Sequence, residues 1–419
     1  MRSASSRGRR RRGVPSRGGR GACAARRRDR DASVGRLSLP RDVRILVLVQ
    51  LIWGLGFGLI GPIQPLYLQS LGADPSQIGL VFGVGNIVGG LLVLPAGFVA
   101  DRFGRRLIII ASGTSGTIGA LTLVVIDRWE WAILSSVLYW VGIAALPAMS
   151  AHIAAVAPRA LLGRAMGAMY GAFFLGLIVA SPFAGAIADR IGMRSTILIG
   201  ALFFALSTAA DLGLTPGRVA RTVGAAARFP RSFWILLSLA PIGGFVAVLA
   251  TPLLPVYVRE VVGAPLEQVG LYVACLSLGS ALFSAAGGRL SDRFGAASAV
   301  VANALIVTTG CAIAALFASS GPLVAVGLIL VGANVGSTPV LAALLERVVP
   351  SARSAVGYAA FQLVYTIGYG IGGIAAGTLY DTDPHLPFLV TIALGLPIAM
   401  VVAFVVARIA RRGTAALPG

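Results

Sequence analysis

The sequence has no lysine, two histidines and three cysteines, and only 12% of its 419 residues are charged. So little charge cannot cover a water-facing surface, which excludes an ordinary soluble domain. Cys23, Cys275 and Cys311 show no spacing that suits a metal or a disulfide framework. The last two lie in apolar runs, where a cysteine behaves as a small buried hydrophobe. Two histidines and scattered acids offer no zinc-ligand set and no nucleophile–base pair. No metal or cofactor is expected, and an enzyme is the weakest class of function.

What is abundant is apolar. Hydrophobic residues make up 57% of the chain, mean hydropathy is +0.87, and there are 54 glycines. Runs of about 20 apolar residues recur, the length required by a hydrocarbon core about 30 Å thick. Glycine in such runs lets helices approach closely in lipid. These features predict an all-α protein that crosses the bilayer many times. The net charge of +20 would suggest nucleic-acid binding, but 15 of the 35 arginines fall in residues 1–44, leaving 20 arginines against 12 acids in the rest. No nucleic-acid partner is expected.

Residues 1–43 are rich in Arg, Gly and Ser, have no apolar periodicity, and read as a disordered, Arg-rich cytoplasmic tail. A segment that binds anionic lipid, or a start codon set too far upstream, are the alternatives. Twelve spans then fit: 44–68, 76–99, 106–126, 131–156, 164–187 and 195–213, followed by 233–257, 267–290, 297–318, 322–346, 354–378 and 387–408. They predict two six-helix bundles, 44–213 and 233–409, joined by a cytoplasmic connector at 214–232 and ending in a cytoplasmic tail at 410–419. Outside the first 44 residues, sixteen arginines fall on the side of the termini and four on the other. Basic residues are retained in the cytoplasm. Both termini are therefore expected there, in a multi-pass protein of the cytoplasmic membrane.

Between the second and third spans stands Gly97-Phe98-Val99-Ala100-Asp101-Arg102-Phe103-Gly104-Arg105-Arg106. Its G-x-x-x-D skeleton recurs from Gly185 to Asp189, Gly288 to Asp292 and Gly377 to Asp381. Asp101 and Asp292 are 191 positions apart, and Asp189 and Asp381 are 192 apart. Pro65-Leu66-Tyr67 likewise matches Pro255-Val256-Tyr257, and Gln77-Ile78-Gly79-Leu80 matches Gln268-Val269-Gly270-Leu271. The chain is a duplication. Six spans per half make the halves parallel repeats about an axis along the membrane normal.

At Gly97, Asp101, Arg102, Gly104, Arg105 and Arg106 the first turn resembles the signature of the major facilitator superfamily. The copy at Gly288, Asp292, Arg293 and Gly295 is degenerate, because Ala296 and Ala297 replace its basic pair. The resemblance implies a secondary transporter working by alternating access, two bundles rocking about a central cavity. It implies that Asp101 latches the bundles together at their cytoplasmic ends, supported by Arg102 and Arg105, with Asp292 and Arg293 in the matching turn. Helix five resembles the family's exporter motif at Gly171, Gly176, Pro182 and Gly185, although Ser181 stands where that motif has glycine. The helix-four signature of an arginine before a glutamine–glycine pair is absent. The interior of the first span offers Gln50 and Gln64 where many proton-coupled exporters carry an acid, so proton coupling stays open.

Ionisable groups are scarce at mid-membrane depth, and polar and aromatic residues are the cavity candidates. In the eleventh span Tyr358, Phe361, Gln362, Tyr365 and Tyr369 recur at helical spacing. The fifth span carries Met166, Met169, Tyr170, Phe173 and Phe174, and the repeat pairs Tyr170 with Gln362 and Phe173 with Tyr365. Gln64, Asn86 and Asn334 are further candidates, as are Trp53, Trp140 and Asn303; each alone also reads as packing between helices. His152 reads as a packed histidine or a proton carrier. A cavity without fixed charge suits small hydrophobic or amphipathic cargo, as in multidrug efflux. A neutral sugar-like metabolite, or a non-transporting receptor or lipid-handling role, are the alternatives. The partners expected are a small-molecule substrate and the lipid bilayer, and the chain is expected to be a monomer.

Overall fold

The computed structural model describes residues 39–142, 145–158, 161–216, 229–336, 345, 349 and 354–414. The expected tail over 1–38 and most of the connector lie outside them. Among the described residues there is no β-strand. Eleven helices are long and apolar enough to cross a membrane: Arg41–Ser70, Pro75–Leu92, Arg105–Val125, Trp129–Val156, Leu162–Ile191, Met193–Asp211, Arg231–Val248, Leu266–Phe294, Ala296–Leu316, Gly357–Thr382 and Leu386–Arg408. A shorter apolar helix, Gly321–Asn334, holds the tenth place in the order. The expected continuation of that span falls mostly on 337–344, outside the described residues. Spans are numbered below in this order of twelve.

The first span starts at Arg41, three residues earlier than expected, behind Pro40. Proline ahead of a helix and an acid in its first turn suit the orphan N–H groups there. It breaks at Gly61-Pro62-Ile63 before resuming as Gln64–Ser70. The seventh repeats the break, with Leu254–Glu260 following Arg231–Val248.

Three of the four charged turns share a feature that the G-x-x-x-D skeleton does not contain. Asp101-Arg102-Phe103-Gly104, Asp189-Arg190-Ile191-Gly192 and Asp292-Arg293-Phe294-Gly295 each end one span and start the next at the glycine. Those glycines have φ of 97°, 89° and 86°. This left-handed backbone is open to glycine at little cost. It turns the chain through a tight reversal with one residue between helices.

Glycine also sets the packing. In lipid no hydrophobic drive pulls helices together, so close backbone contact must do it. Within the first half, Gly54 sits on the carbonyl of Phe173 in span five; a Cβ there would be 2.2 Å from that oxygen. Within the second, Gly244 sits on the carbonyl of Tyr365 in span eleven, where a Cβ would be 2.1 Å away. The duplication therefore holds at the level of single contacts. It also holds at the end opposite the termini. The Tyr67 hydroxyl donates to Ile126 O at 3.1 Å and the Tyr257 hydroxyl to Ala314 O at 2.8 Å. Arg194 and His385, 191 positions apart, each approach that tyrosine oxygen, at 3.0 and 3.3 Å.

Candidate functional site

The halves touch along two helix pairs, and the contacts concentrate at one end. Span two crosses span eleven at Gly79, Gly83, Gly370 and Gly377. Span five crosses span eight where Gly185 faces the carbonyl of Leu266 and Gly270 that of Ser181. All but the mid-span crossing of Gly83 and Gly370 lie towards the end away from the termini. There a single buried core draws on both halves, from Tyr67 and Ile78 to Tyr257 and Val269. Gln69 Nε2 donates across it to Glu260 Oε1 at 2.8 Å, and the Tyr380 hydroxyl reaches Glu260 Oε2 at 3.2 Å. At the terminal end the cores are separate. One holds Leu46, Ile153 and Met169 of the first half, the other Phe233, Phe361 and Val406 of the second. Among the described residues, the buried core is shared between the halves at one end and separate at the other.

The residues of the charged turn lie at the terminal end. The backbones of Gly97 and Asp101 belong to the second helix, Pro75–Phe103; their side chains lie outside the described ones. Arg102 is exposed and lies over Phe103, as Arg293 lies over Phe294 in the matching turn, and Asp292 is exposed too. Arg105 Nη1 donates to Ala151 O at 2.8 Å and Arg106 Nη2 to Leu212 O at 2.7 Å. Both arginines thus hold spans four and six of their own half. Gly104 supplies the reversal.

The cavity candidates divide. Tyr170 and Tyr358, one from each half, are both exposed at the terminal end, within electrostatic reach of each other. The Tyr170 oxygen lies 3.2 Å from Ser150 Oγ. Phe173 turns into the first half, its ring 6.1 Å from that of Phe57, and Met169 is in the core. In the second half, Asn334, Tyr358, Phe361, Gln362 and Tyr365 line one cavity of about 240 Å³, together with Asn303 and Thr391. Asn334 donates to Ala247 O, and Gln362 Nε2 to Thr366 Oγ1 at 3.3 Å. Tyr369 continues the stripe, 6.3 Å from Tyr365, outside the cavity wall. Gln64 lines a small crevice in the first half. Asn86 is buried, and its amide donates to Phe82 O one turn back.

One constellation was not anticipated. His152 Nε2 lies 2.8 Å from Asp42 Oδ2, both buried, and Asp42 Oδ2 also accepts from the Thr215 hydroxyl and amide. Spans one and four and the exit from span six meet there. Reading the first helix from residue 44 hid the acid; Pro40 followed by an acid two residues later was the available signal. His152 is packed, as one of the two readings had it, and it is also paired.

A duplicated helical bundle whose halves, among the described residues, share a core at one end and keep separate cores at the other suits a membrane transporter. The chain belongs to the Major Facilitator Superfamily, whose family model matches residues 46–241 and 233–418. It is 26% identical over 359 residues to the multi-drug resistance efflux pump PmrA of Streptococcus pneumoniae, covering 80% of this chain and 88% of that protein. It is 24% identical over 363 residues to an uncharacterized MFS-type transporter of Methanocaldococcus jannaschii, covering 82% of this chain and 92% of that one. Among solved structures it resembles the nucleoside transporter NupG, with a TM-score of 0.69 at 14% identity over 88% of this chain and 99% of that one. That likeness carries the fold.

Proposed function

We propose that this transporter exports small hydrophobic or amphipathic compounds by alternating access, with both termini in the cytoplasm. The carrying observation is the polarity of the inter-half contacts: paired glycines at the far end, facing Tyr170 and Tyr358 at the terminal end. With the arginine-rich side in the cytoplasm, this is the conformation that loads from inside. An aromatic wall with few hydrogen-bonding groups suits apolar cargo, and a cation on the cargo would meet tyrosine faces. The similarity to a multi-drug efflux pump supports the same direction. The turn around Asp101 serves as the latch that holds the cytoplasmic ends together in the opposite conformation. Interfacial charge contacts suit a latch because they separate at modest cost.

The test is accumulation of a fluorescent cationic dye in cells expressing the protein or its Asp101→Asn variant, with and without a protonophore. Lower accumulation with the wild type alone, abolished by the protonophore, is the expected result and marks the protein as an energised exporter. No change across several chemically different dyes would discard the export reading. A neutral sugar-like cargo is the second reading, favoured by the amides of Asn303, Asn334 and Gln362 on the second-half cavity. Competition by sugars against dye efflux separates the two.

A further inference from the structure

The two halves are repeats, yet the large cavity described above lies in the second, and the repeat register shows why. In the first half the matching volume is filled by a stack of rings. Trp53 lies 4.0 Å from Phe204, and Tyr139 lies 5.8 Å from both Phe57 and Phe204. The register of the first and seventh spans is 190, fixed by Tyr67 with Tyr257 and by the paired contacts of Gly54 and Gly244. It places Gly243 at the position of Trp53 and Ala247 at that of Phe57. The register of the sixth and twelfth spans is 191, fixed by Arg194 with His385. It places Gly395 at the position of Phe204. Gly243, Ala247 and Gly395 all line the second-half cavity.

A second exchange keeps the walls apart. Gly56 and Gly200 let spans one and six meet backbone to backbone; a Cβ on Gly56 would be 2.7 Å from Gly200 O. Their counterparts are Val246 and Thr391. Two of these rings give way to glycine and Phe57 to alanine, beside the positions where Gly56 and Gly200 give way to Val246 and Thr391. The register is confirmed by contact: Phe204 crowds Gly56, and the space over Gly395 is bounded by Val246.

We infer that the second-half cavity is a ligand site of its own, inside one bundle, for a neutral planar molecule of about two fused rings with a hydroxyl or amine. Size and shape both point there. A dry cavity of about 150 Å³ accommodates one benzene ring, and this one measures about 240 Å³. The counterpart volume is occupied by an indole stacked on a phenyl ring. Asn303, Gln362 and Thr391 supply polar groups at the wall, and Tyr358 connects the cavity to the space facing Tyr170. A ligand held here would be carried by one rocking half.

The experiment is binding of 2-naphthol to the full chain in lipid nanodiscs, read by its fluorescence against empty nanodiscs, with thermal unfolding of the same samples. The variants are Gly395→Phe, Gly243→Trp and Gly395→Ala. A Cβ on Gly243 meets nothing within 4 Å, and one on Gly395 makes ordinary contacts at 3.6 and 3.8 Å, so both sites have room. The expected result is saturable binding to wild type and Gly395→Ala, at least tenfold weaker in both ring variants, with unfolding temperatures unchanged or raised. Non-saturable uptake, equal binding in the ring variants, or displacement of naphthol by a fatty acid but not by other two-ring compounds would overturn the inference. So would unfolding of both ring variants, since room for a ring is its premise. Binding is read without transport, so its failure leaves the export reading standing, and failure of dye efflux leaves this one.

Discussion

Gly79 of the second span rests on Gly377 of the eleventh: a Cβ on the first would lie 2.8 Å from Cα of the second. This crossing closes the end opposite the termini, and alternating access requires it to close and open in every cycle. Gly79→Leu must push the spans apart, and overpacking of this kind costs about 1–3 kcal/mol. Loaded onto one of two conformations, such an energy shifts their balance about 5- to 150-fold. Dye efflux should fall by about fivefold or more. A cysteine at Ser76, whose backbone lies against Gly377, should become more reactive to an external thiol reagent. Unchanged labelling and transport together would count against closure at this crossing.

The helix reversals at Gly104, Gly192 and Gly295 depend on left-handed backbone. Alanine at each should cost about 1–3 kcal/mol, the strain of placing a Cβ in this positive-φ, extended-ψ region that is essentially reserved for glycine. Gly171 is the control. It lies within a helix, with nothing within 4 Å of a built Cβ, so Gly171→Ala should be neutral or stabilising by up to about 1 kcal/mol. Thermal unfolding in detergent checks the contrast. Equal effects at all four positions would show that the turns are not the constraint.

Much of this architecture was legible in the sequence because duplication writes each contact twice. The half-length offset follows from it, while the candidates Tyr358, Phe361, Gln362 and Tyr365 come from helical spacing along the eleventh span; their side chains line one cavity. What was not legible depends on differences between the repeats. Gly243 and Gly395 look like two more membrane glycines among 54, until the structure sets them opposite Trp53 and Phe204. Periodicity alone could not tell that Tyr170 faces the other half while Phe173, three residues on, turns inward. The eighteen-residue helical wheel places them on one face, but the neighbours Gly54 and Phe57 decide what that face meets. The Asp42–His152 pair escaped because its members are 110 positions apart in one half, where no repeat reports on them.

Asp74 caps the second span. Its Oδ1 accepts from the Ser76 hydroxyl at 2.6 Å and the Gln77 amide at 2.7 Å, while Gln77 Oε1 accepts from the Asp74 amide at 3.0 Å. This is a reciprocal capping box. The Ser76 hydroxyl chiefly holds the Asp74 carboxyl below its ordinary value; burial opposes it, and the amides of Gln77 and Ser76 assist. Asp74→Ala should cost about 1 kcal/mol. Because the folded value is depressed, the ionised cap contributes fully above the unfolded value of about 4. That contribution is lost as pH falls through the lower folded value. The gap in unfolding temperature between wild type and variant should therefore be constant from neutral pH down to about 5 and shrink below about 4. A constant gap throughout would mean that the hydroxyl and amide contacts do not depend on the charge.

The buried Asp42–His152 contact makes the sharpest stability prediction. Asp42 Oδ2 is held by His152 Nε2 at 2.8 Å and by Thr215. Nearby in the chain, Arg41 and Arg44 flank Asp42; Arg105 and Arg106 of span three bond the carbonyls of Ala151 and Leu212, and Asp211 of span six is buried. Removing one partner leaves the other buried group without its hydrogen bond and costs about 1–3 kcal/mol, whereas replacing both can be nearly neutral. His152→Ala should fall in the lower part of that range, because Thr215 still serves the carboxylate. Asp42→Asn combined with His152→Gln keeps a hydrogen bond between two uncharged amides and should recover most of the loss. A double-mutant cycle on unfolding free energy reads this coupling directly. Strong coupling would identify the pair as the tie between spans one and four and the exit of span six. Additive losses would mean that each side chain is held by its own surroundings, and that the tie rests on Arg105 and Arg106 instead.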